Sequence, residues 1–425
     1  MRIKFSLKKL ILYYLYGILL IPVLLHIFLG KIVGGMLHPG LFIHSFILIL
    51  LLRHLILQLL KGTMLVNVIT IMIISFLYVY CVNIFVVELV QFYNTPISDS
   101  LRYTFKIFLF LLLAYFIYQN KEFYLDKLNN ILTINSLVLV ANVIIGYHFQ
   151  IGAQSYEHLL EDSYRGYLAG NDTSIFSFIV FGYSLFSIIS VKTFYKKTFY
   201  LILFLLSIYS MYIIATKAFI VAGIILILFL LDKGTNVRKP HKVFVLIGIG
   251  ATIILLIVSS STIYERLLMN YLRSISQGEK LIEVTEGIPA YFRWLNTISP
   301  GRITRGFMLL GQQYNDSMLN LLFGYGVSGI YKAFGRPPQT EIFSLIGYFG
   351  ILGFIVFYVP QLWHTFRIII HRNFDLVNVL FIAIFLYGSF GGFLYGASNT
   401  SILFSLLFGL SLVPKKSKMR IRYNI

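Results

Sequence analysis

The sequence predicts an all-α, polytopic helical membrane protein with about twelve transmembrane helices and one large extracytoplasmic loop. Three observations carry this. Only 12% of the residues are charged and 58% are hydrophobic, whereas a soluble domain carries roughly 25% charged residues to solvate its surface. Apolar runs recur along the chain, each long enough to cross a hydrocarbon core about 30 Å thick. Lysines and arginines collect at the ends of these runs, and one long charged stretch, residues 262–340, interrupts their rhythm.

The spans fall near residues 10–29, 36–52, 64–90, 103–119, 131–149, 173–190, 199–215, 218–231, 243–261, 341–361, 376–396 and 399–413. The first follows a basic start (Arg2, Lys4, Lys8, Lys9). No small-residue cleavage site comes after it and further spans do, so it is expected to be an anchor rather than a removable signal peptide. Spans seven and eight form a tight hairpin around Thr216 and Lys217. Residues 53–61 (RHLILQLLK) read as a short amphipathic connection. The expected units are 1–261 (transmembrane helices 1–9), 262–340 (the large extracytoplasmic loop, with amphipathic helices) and 341–425 (transmembrane helices 10–12 and a basic cytoplasmic tail).

Orientation follows from charge. With the N-terminus in the cytoplasm, the tails and inner loops hold twenty-two lysines and arginines. The short outer segments hold five: Lys31, Arg102, Lys106, Arg165 and Lys217. That is the positive-inside bias of a multi-pass inner-membrane protein, and it puts both termini in the cytoplasm. The net charge of +19 therefore reads as anchoring, and no nucleic-acid partner is expected. The single cysteine, Cys81, lies in an apolar run, which leaves neither a disulfide framework nor a thiolate metal site.

The stretch 262–340 joins two outer span ends and contains no span of its own. Loops this long are functional or disordered, and this one holds too many aromatic and aliphatic residues for disorder. Ile263, Leu267 and Tyr271 share one helical face, and Arg266, Asn270 and Arg273 another. Residues 303–323 mix apolar and polar positions in the same way, as amphipathic helices on a membrane do. A smaller outer loop, 150–172, carries Glu157, His158, Glu161, Asp162, Arg165 and Asp172.

Within the large loop, Arg293, Arg302 and Arg305 stand in a stretch poor in acids. Arginine suits phosphate because its planar fork donates two parallel charge-assisted bonds, and attraction to anionic lipid headgroups is the simpler use of the same charge. Glu341 opens span ten. There it is either a carboxylate favoured by the helix dipole or a membrane-edge acid with a chemical role. Lys217 sits at an outer turn, where it either snorkels or meets an anionic substrate. GYGVSG (Gly324, Gly326, Gly329) matches a dinucleotide fingerprint in letters but lacks its strand and acidic residue, so it reads as a tight turn. Gly347, Gly350 and Gly353, and Gly388, Gly392 and Gly396, read as small-residue ridges for close helix packing. The nine histidines are scattered, and HExxH, Walker and GxSxG patterns are absent. No metal or other cofactor is expected.

These features together resemble the Wzy-type polymerases of O-antigen and capsular polysaccharide, in the superfamily that also holds the O-antigen ligases. The resemblance rests on the architecture, on the element Ala215-Thr216-Lys217-Ala218 opening a span, and on the block from Arg302 through LLFGYGVSG to EIFSLIGYFGILGF. The family usually has Ser-Arg where Thr216-Lys217 stand here. Ligases carry His then Asn where this chain has Gln339-Thr340-Glu341, which favours a polymerase.

The resemblance implies a metal-independent glycosyltransferase at the outer face of the bacterial cytoplasmic membrane. Such an enzyme joins oligosaccharide repeat units carried on undecaprenyl pyrophosphate. The resemblance implies membrane lipids as surroundings, and a chain-length regulator and a flippase as candidate partners. Arg302 and Arg305 would neutralise the leaving pyrophosphate, Glu341 would serve as the base, and Lys217, Arg293 and Arg165 would bind substrate. Three alternatives stay open: a lipid-linked oligosaccharide flippase or other transporter, a ligase, and a peptidoglycan polymerase of the shape-and-division type. Against a transporter stand the lack of an internal repeat and the near absence of charges at span centres.

Overall fold

The computed structural model describes residues 7–20, 39–88, 98–152, 166–167, 170–214, 218–231, 302–334, 340–391, 395 and 398–414. Among these residues the structure is helical. The one β-like contact is an isolated bridge between Gly152 and Gly166.

The helices are α1 (Leu7–Leu20), α2 (Pro39–Leu60), α3 (Val68–Val82, continued by a π-helical turn over Asn83–Glu88), α4 (Ser98–Gln119), α5 (Lys121–His148), α6 (Gly170–Ser190), α7 (Phe194–Ile214) and α8 (Ala218–Leu231). After residues outside the description come α9 (Arg302–Asp316), α10 (Met318–Phe323), α11 (Gly326–Phe334), α12 (Glu341–Phe357), α13 (Val359–Ile370), α14 (Leu376–Gly391) and α15 (Ser398–Ser411). Among the described residues, six stretches are long and apolar enough to cross a membrane: Ile43–Leu60, Val68–Phe85, Lys121–His148, Thr173–Ser190, Phe194–Ile213 and Glu341–Ile370. The protein is thus helical and built to sit in a membrane. Large apolar side chains such as Ile71, Ile74 and Leu77 of α3 and Leu201, Ile202 and Leu205 of α7 face outward, as lipid contact allows.

Two packed groups position the rest. In one, α6 is wrapped by α5, α7, α8 and α14. In the other, α12 is surrounded by α3, α9, α10, α11 and α14, while α4 packs on α15 and α2. Aromatic rings tie α4, α14 and α15 together: Phe110 stacks on Phe404 at 5.3 Å and Phe404 on Phe381 at 5.6 Å.

The structure corrects four readings of the sequence. Residues 53–60 belong to α2, which runs unbroken to Leu60 before turning at Gly62 (φ +63). No Gly or Pro interrupts that stretch, and its polar residues serve another helix: Gln58 Nε2 donates to Gln119 Oε1 at 2.9 Å and Gln119 Nε2 to Gln58 Oε1 at 2.9 Å. Residues 121–130 are the first turns of α5 rather than an open loop. Residues 359–370, partly assigned to an inner loop, form α13, with Pro360 in its first turn, where its missing N–H is harmless.

The fourth correction concerns the glycines of span ten. Gly347 does pack closely, facing Ile330 and Leu309, but Gly350 has φ +69 and breaks α12. Of the second ridge, Gly392 and Gly396 lie outside the described residues, as do the two helical faces over 263–273 and the hairpin turn at 216–217. Residues 302–316 and 318–323 form α9 and α10, and the first of these is amphipathic.

Candidate active site

The site forms where α9, α10 and α11 meet the first half of α12. At its centre stands Glu341, the first residue of α12, which follows the N-cap Thr340 and is 2% exposed. At that position the helix dipole favours a carboxylate. The Tyr103 hydroxyl, from α4, donates to Glu341 Oε1 at 3.0 Å, and the backbone N–H of Tyr395 donates to the same oxygen at 3.3 Å.

Both partners are themselves held. The Tyr103 ring meets Tyr348 edge-on at 4.6 Å. Tyr395 is fully buried, packs edge-on against Phe357 at 4.5 Å, and donates from its hydroxyl to Gln361 Oε1 at 2.9 Å. Gln361 in turn donates to the Phe357 carbonyl at 2.9 Å. Glu341 therefore sits in a fixed polar niche inside an aromatic wall, closed to bulk water.

The arginines come from α9. Its strong amphipathicity puts Leu309 on a buried face against Gly347 and leaves Arg302 and Arg305, one turn apart, half-buried near its start. The contact between α9 and α12 lies beside Glu341. A Cβ on Gly306 would stand 2.1 Å from the Phe343 ring, and Phe307 meets Phe343 edge-on at 5.4 Å. The helix bearing Arg302 and Arg305 is thus laid on the first turn of the helix that begins with Glu341. Of the predicted site residues, the structure brings these three into one neighbourhood. Lys217, Arg293 and Arg165 lie outside the described residues.

Gly324 and Gly326 (φ +80 and +73) form the expected turn, whereas Gly329 lies inside α11, and what the turn approaches is the broken span. Gly324 (φ +80) lies so close to α12 that a Cβ would be 2.5 Å from the Tyr348 carbonyl carbon, and a Cβ on Gly350 would be 2.2 Å from the Leu322 carbonyl oxygen. Two backbones cross here with no room for a side chain on either. Nearby, the Tyr325 hydroxyl donates to Asp316. Burial and that carboxylate raise the phenol above its ordinary range, so it stays protonated and keeps donating.

Sequence reasoning missed Asn83, Tyr103, Gln313 and Tyr395. Asn83 alone left a signal, a carboxamide inside an otherwise apolar run, which is costly in a membrane unless it is bonded. Tyrosines are too common in this chain (30 residues) to point anywhere. Among the described residues, no group of three or more His, Cys, Asp or Glu could hold a metal. Compared with models of known families and with curated proteins, the chain matches none.

Proposed function

We propose that the protein is a polymerase that joins lipid-pyrophosphate-linked oligosaccharide repeat units into a surface polysaccharide. The work is done at the outer face of a bacterial cytoplasmic membrane that the chain crosses twelve times, with both termini inside. The observation that carries this reading is the placing of a buried, hydrogen-bonded carboxyl, Glu341, at the start of a broken span, under a helix that carries two arginines.

The reaction needs little else. The donor carries its own energy in the sugar–pyrophosphate bond. Arg302 and Arg305, joined by Lys217, Arg293 and Arg165, would neutralise the charge that develops on the leaving pyrophosphate, as preorganised electrostatic stabilisation requires. The Glu341 carboxylate takes the proton of the attacking sugar hydroxyl. The exclusion of bulk water lets that hydroxyl compete as nucleophile.

A transporter of the same lipid-linked substrate is the second reading, favoured by one observation, the interruption of α12 at Gly350. Broken helices in transporters offer free backbone groups to substrate or ions. Here the carbonyls released before the break accept bonds from protein groups: Ile346 and Gly347 from Gln313, Gly347 also from the Tyr325 N–H, and Tyr348 from Asn83. A break filled in this way suits an anchoring point better than an ion site.

Deleting the gene and running the surface polysaccharide on a gel separates the two. A polymerase predicts loss of the long-chain ladder with single repeat units still reaching the surface. Loss of all export selects the transporter. At matched protein levels, Arg302→Ala, Arg305→Ala and Glu341→Ala should each shorten or abolish the ladder. An unchanged ladder in all three removes the mechanism.

A further inference from the structure

Opening a helix at one residue orphans the carbonyls of the preceding turn, which in a membrane must find donors inside the protein. In α12 the donors come from three separate places. Gln313, in the last turn of α9, reaches the carbonyls of Ile346 and Gly347 at 3.3 and 3.2 Å. The backbone N–H of Tyr325 reaches the Gly347 carbonyl at 2.8 Å. Asn83 reaches the Tyr348 carbonyl at 3.0 Å.

Asn83 differs from the others in bonding both sides of the backbone crossing. The same Nδ2 that serves Tyr348 also donates to the Phe323 carbonyl at 2.6 Å, on the segment that leads into the Gly324 turn. The side chain is 1% exposed. A π-helical turn begins at this residue, and such turns inside α-helices recur at functional sites. The partners lie 240 and 265 residues away in sequence, so no local folding need accounts for the carboxamide.

We infer that Asn83 is the positioning residue of the candidate site. Its amide fastens the Gly324 turn to the broken span. It thereby fixes α9, with Arg302 and Arg305, over the turn of α12 that holds Glu341. The chemical meaning of this fastening rests on the polymerase reading, whereas the fastening itself does not.

The experiment uses the full-length protein in lipid nanodiscs and compares Asn83→Leu, of similar size but without a donor, with Asn83→Gln, which keeps the amide. Hydrogen exchange followed by mass spectrometry reads the fastening. Asn83→Leu is expected to lower protection across 318–326 and 346–353 by roughly tenfold, the worth of two amide–carbonyl bonds. Protection in α6 should be unchanged, and Asn83→Gln should restore a substantial part of the loss. Polymerisation of lipid-linked repeat units, measured against donor concentration, reads the consequence: KM for the donor rises in Asn83→Leu and recovers in Asn83→Gln, which a loss of folded protein alone would not produce.

Unchanged protection in Asn83→Leu overturns the inference whatever the activity. Lowered protection with native polymerisation kinetics overturns the positioning role. Lowered protection in a preparation whose native form does not polymerise leaves the fastening standing and removes the polymerase reading instead. Should Asn83→Leu not accumulate, Asn83→Ser, whose hydroxyl can serve one carbonyl at a time, is expected to show about half of the logarithmic loss in protection, and no loss there overturns the inference equally.

Discussion

Helices α6 and α12 are both apolar and deeply packed, yet the serines of the one and the opened backbone of the other handle polarity in opposite ways. In α6 three serine hydroxyls turn back onto their own helix, although the Tyr183 hydroxyl reaches Asn129 on α5: Ser177 donates to the Thr173 carbonyl at 2.8 Å, Ser184 to Val180 at 2.7 Å and Ser190 to Phe186 at 2.7 Å. Nothing outside α6 depends on these bonds. In α12 the backbone itself is open at Gly350, and its carbonyls accept from Asn83, Gln313 and Tyr325 on other elements. A polar group that serves its own helix is replaceable. One that serves a neighbour's opened backbone carries part of the tertiary structure, and this is where the two helices should part under substitution.

The sharpest way to break the comparison is to put a methyl group on Gly350. With φ +69 and ψ −171, Gly350 occupies a region that essentially only glycine adopts, and an L-residue there costs about 1–3 kcal/mol in backbone strain alone. The new Cβ would also stand 2.2 Å from the Leu322 oxygen, and backbone cannot rotate aside as a side-chain tip can. Gly350→Ala should therefore destabilise the protein by roughly 3 kcal/mol or more, strain and overpacking together. Thermal unfolding in detergent, followed by size-exclusion fluorescence, would register a large fall in midpoint and in monodisperse yield. A native-like midpoint would mean that the crossing of 322–325 with 346–350 is absent in solution.

A smaller effect is expected from Tyr103→Phe. The ring keeps its contact with Tyr348 at 4.6 Å, but Glu341 loses the Tyr103 hydroxyl as a donor. A hydrogen bond to a carboxyl is worth about 1–3 kcal/mol, so the midpoint should fall measurably. The polysaccharide ladder should shorten further than Tyr395→Phe shortens it, because Tyr395 serves Glu341 through its backbone. Equal ladders in the two variants would detach Tyr103 from the site.

How far the sequence revealed these features depends on the range of the interactions. Helices were legible because hydrophobicity accumulates locally: the stretch read as 218–231 coincides with the helix α8, and that read as 173–190 lies within α6. Glu341 was legible because a charge at a span edge stands out against apolar neighbours. Gly324 and Gly326 of GYGVSG make the turn read from the sequence, but Gly329 is helical and Gly350, read as a packing glycine, breaks α12. A glycine needed for positive φ and one needed for close helix contact are the same letter, and only the partner backbone, 28 residues away at Leu322, tells them apart. Asn83, Gln313 and Tyr103 owe their roles to partners on other elements. No periodicity or spacing encodes those pairings.

Gly182 in α6 gives the counterpart to Gly350. A Cβ there would meet the Leu380 Cδ2 at 2.8 Å, the tip of a side chain that can turn. Alanine at a helical position also recovers about 1 kcal/mol of helix propensity. Gly182→Ala should stay within about 1 kcal/mol of the native protein in either direction. A collapse like that of Gly350→Ala would show that α6 is as tightly keyed as α12.

The smallest effect belongs to Ser184→Ala, although this serine is fully buried. Its hydroxyl donates to the carbonyls of Val180 and Phe181 at 2.7 and 3.1 Å, and the helix's own N–H groups still serve both carbonyls when the hydroxyl is removed. No donor or acceptor is orphaned, so the penalty for an unmet buried group does not arise. Back-bonding of this kind bends and slightly weakens helices, and side-chain hydrogen bonds inside membrane proteins average only about 0.6 kcal/mol. The midpoint of Ser184→Ala should thus match the native one within roughly the effect of 0.5 kcal/mol. A fall of the size expected for Tyr103→Phe would mean that the hydroxyl of Ser184 reaches beyond its own helix, and that the division between self-serving and neighbour-serving polar groups does not hold in this protein.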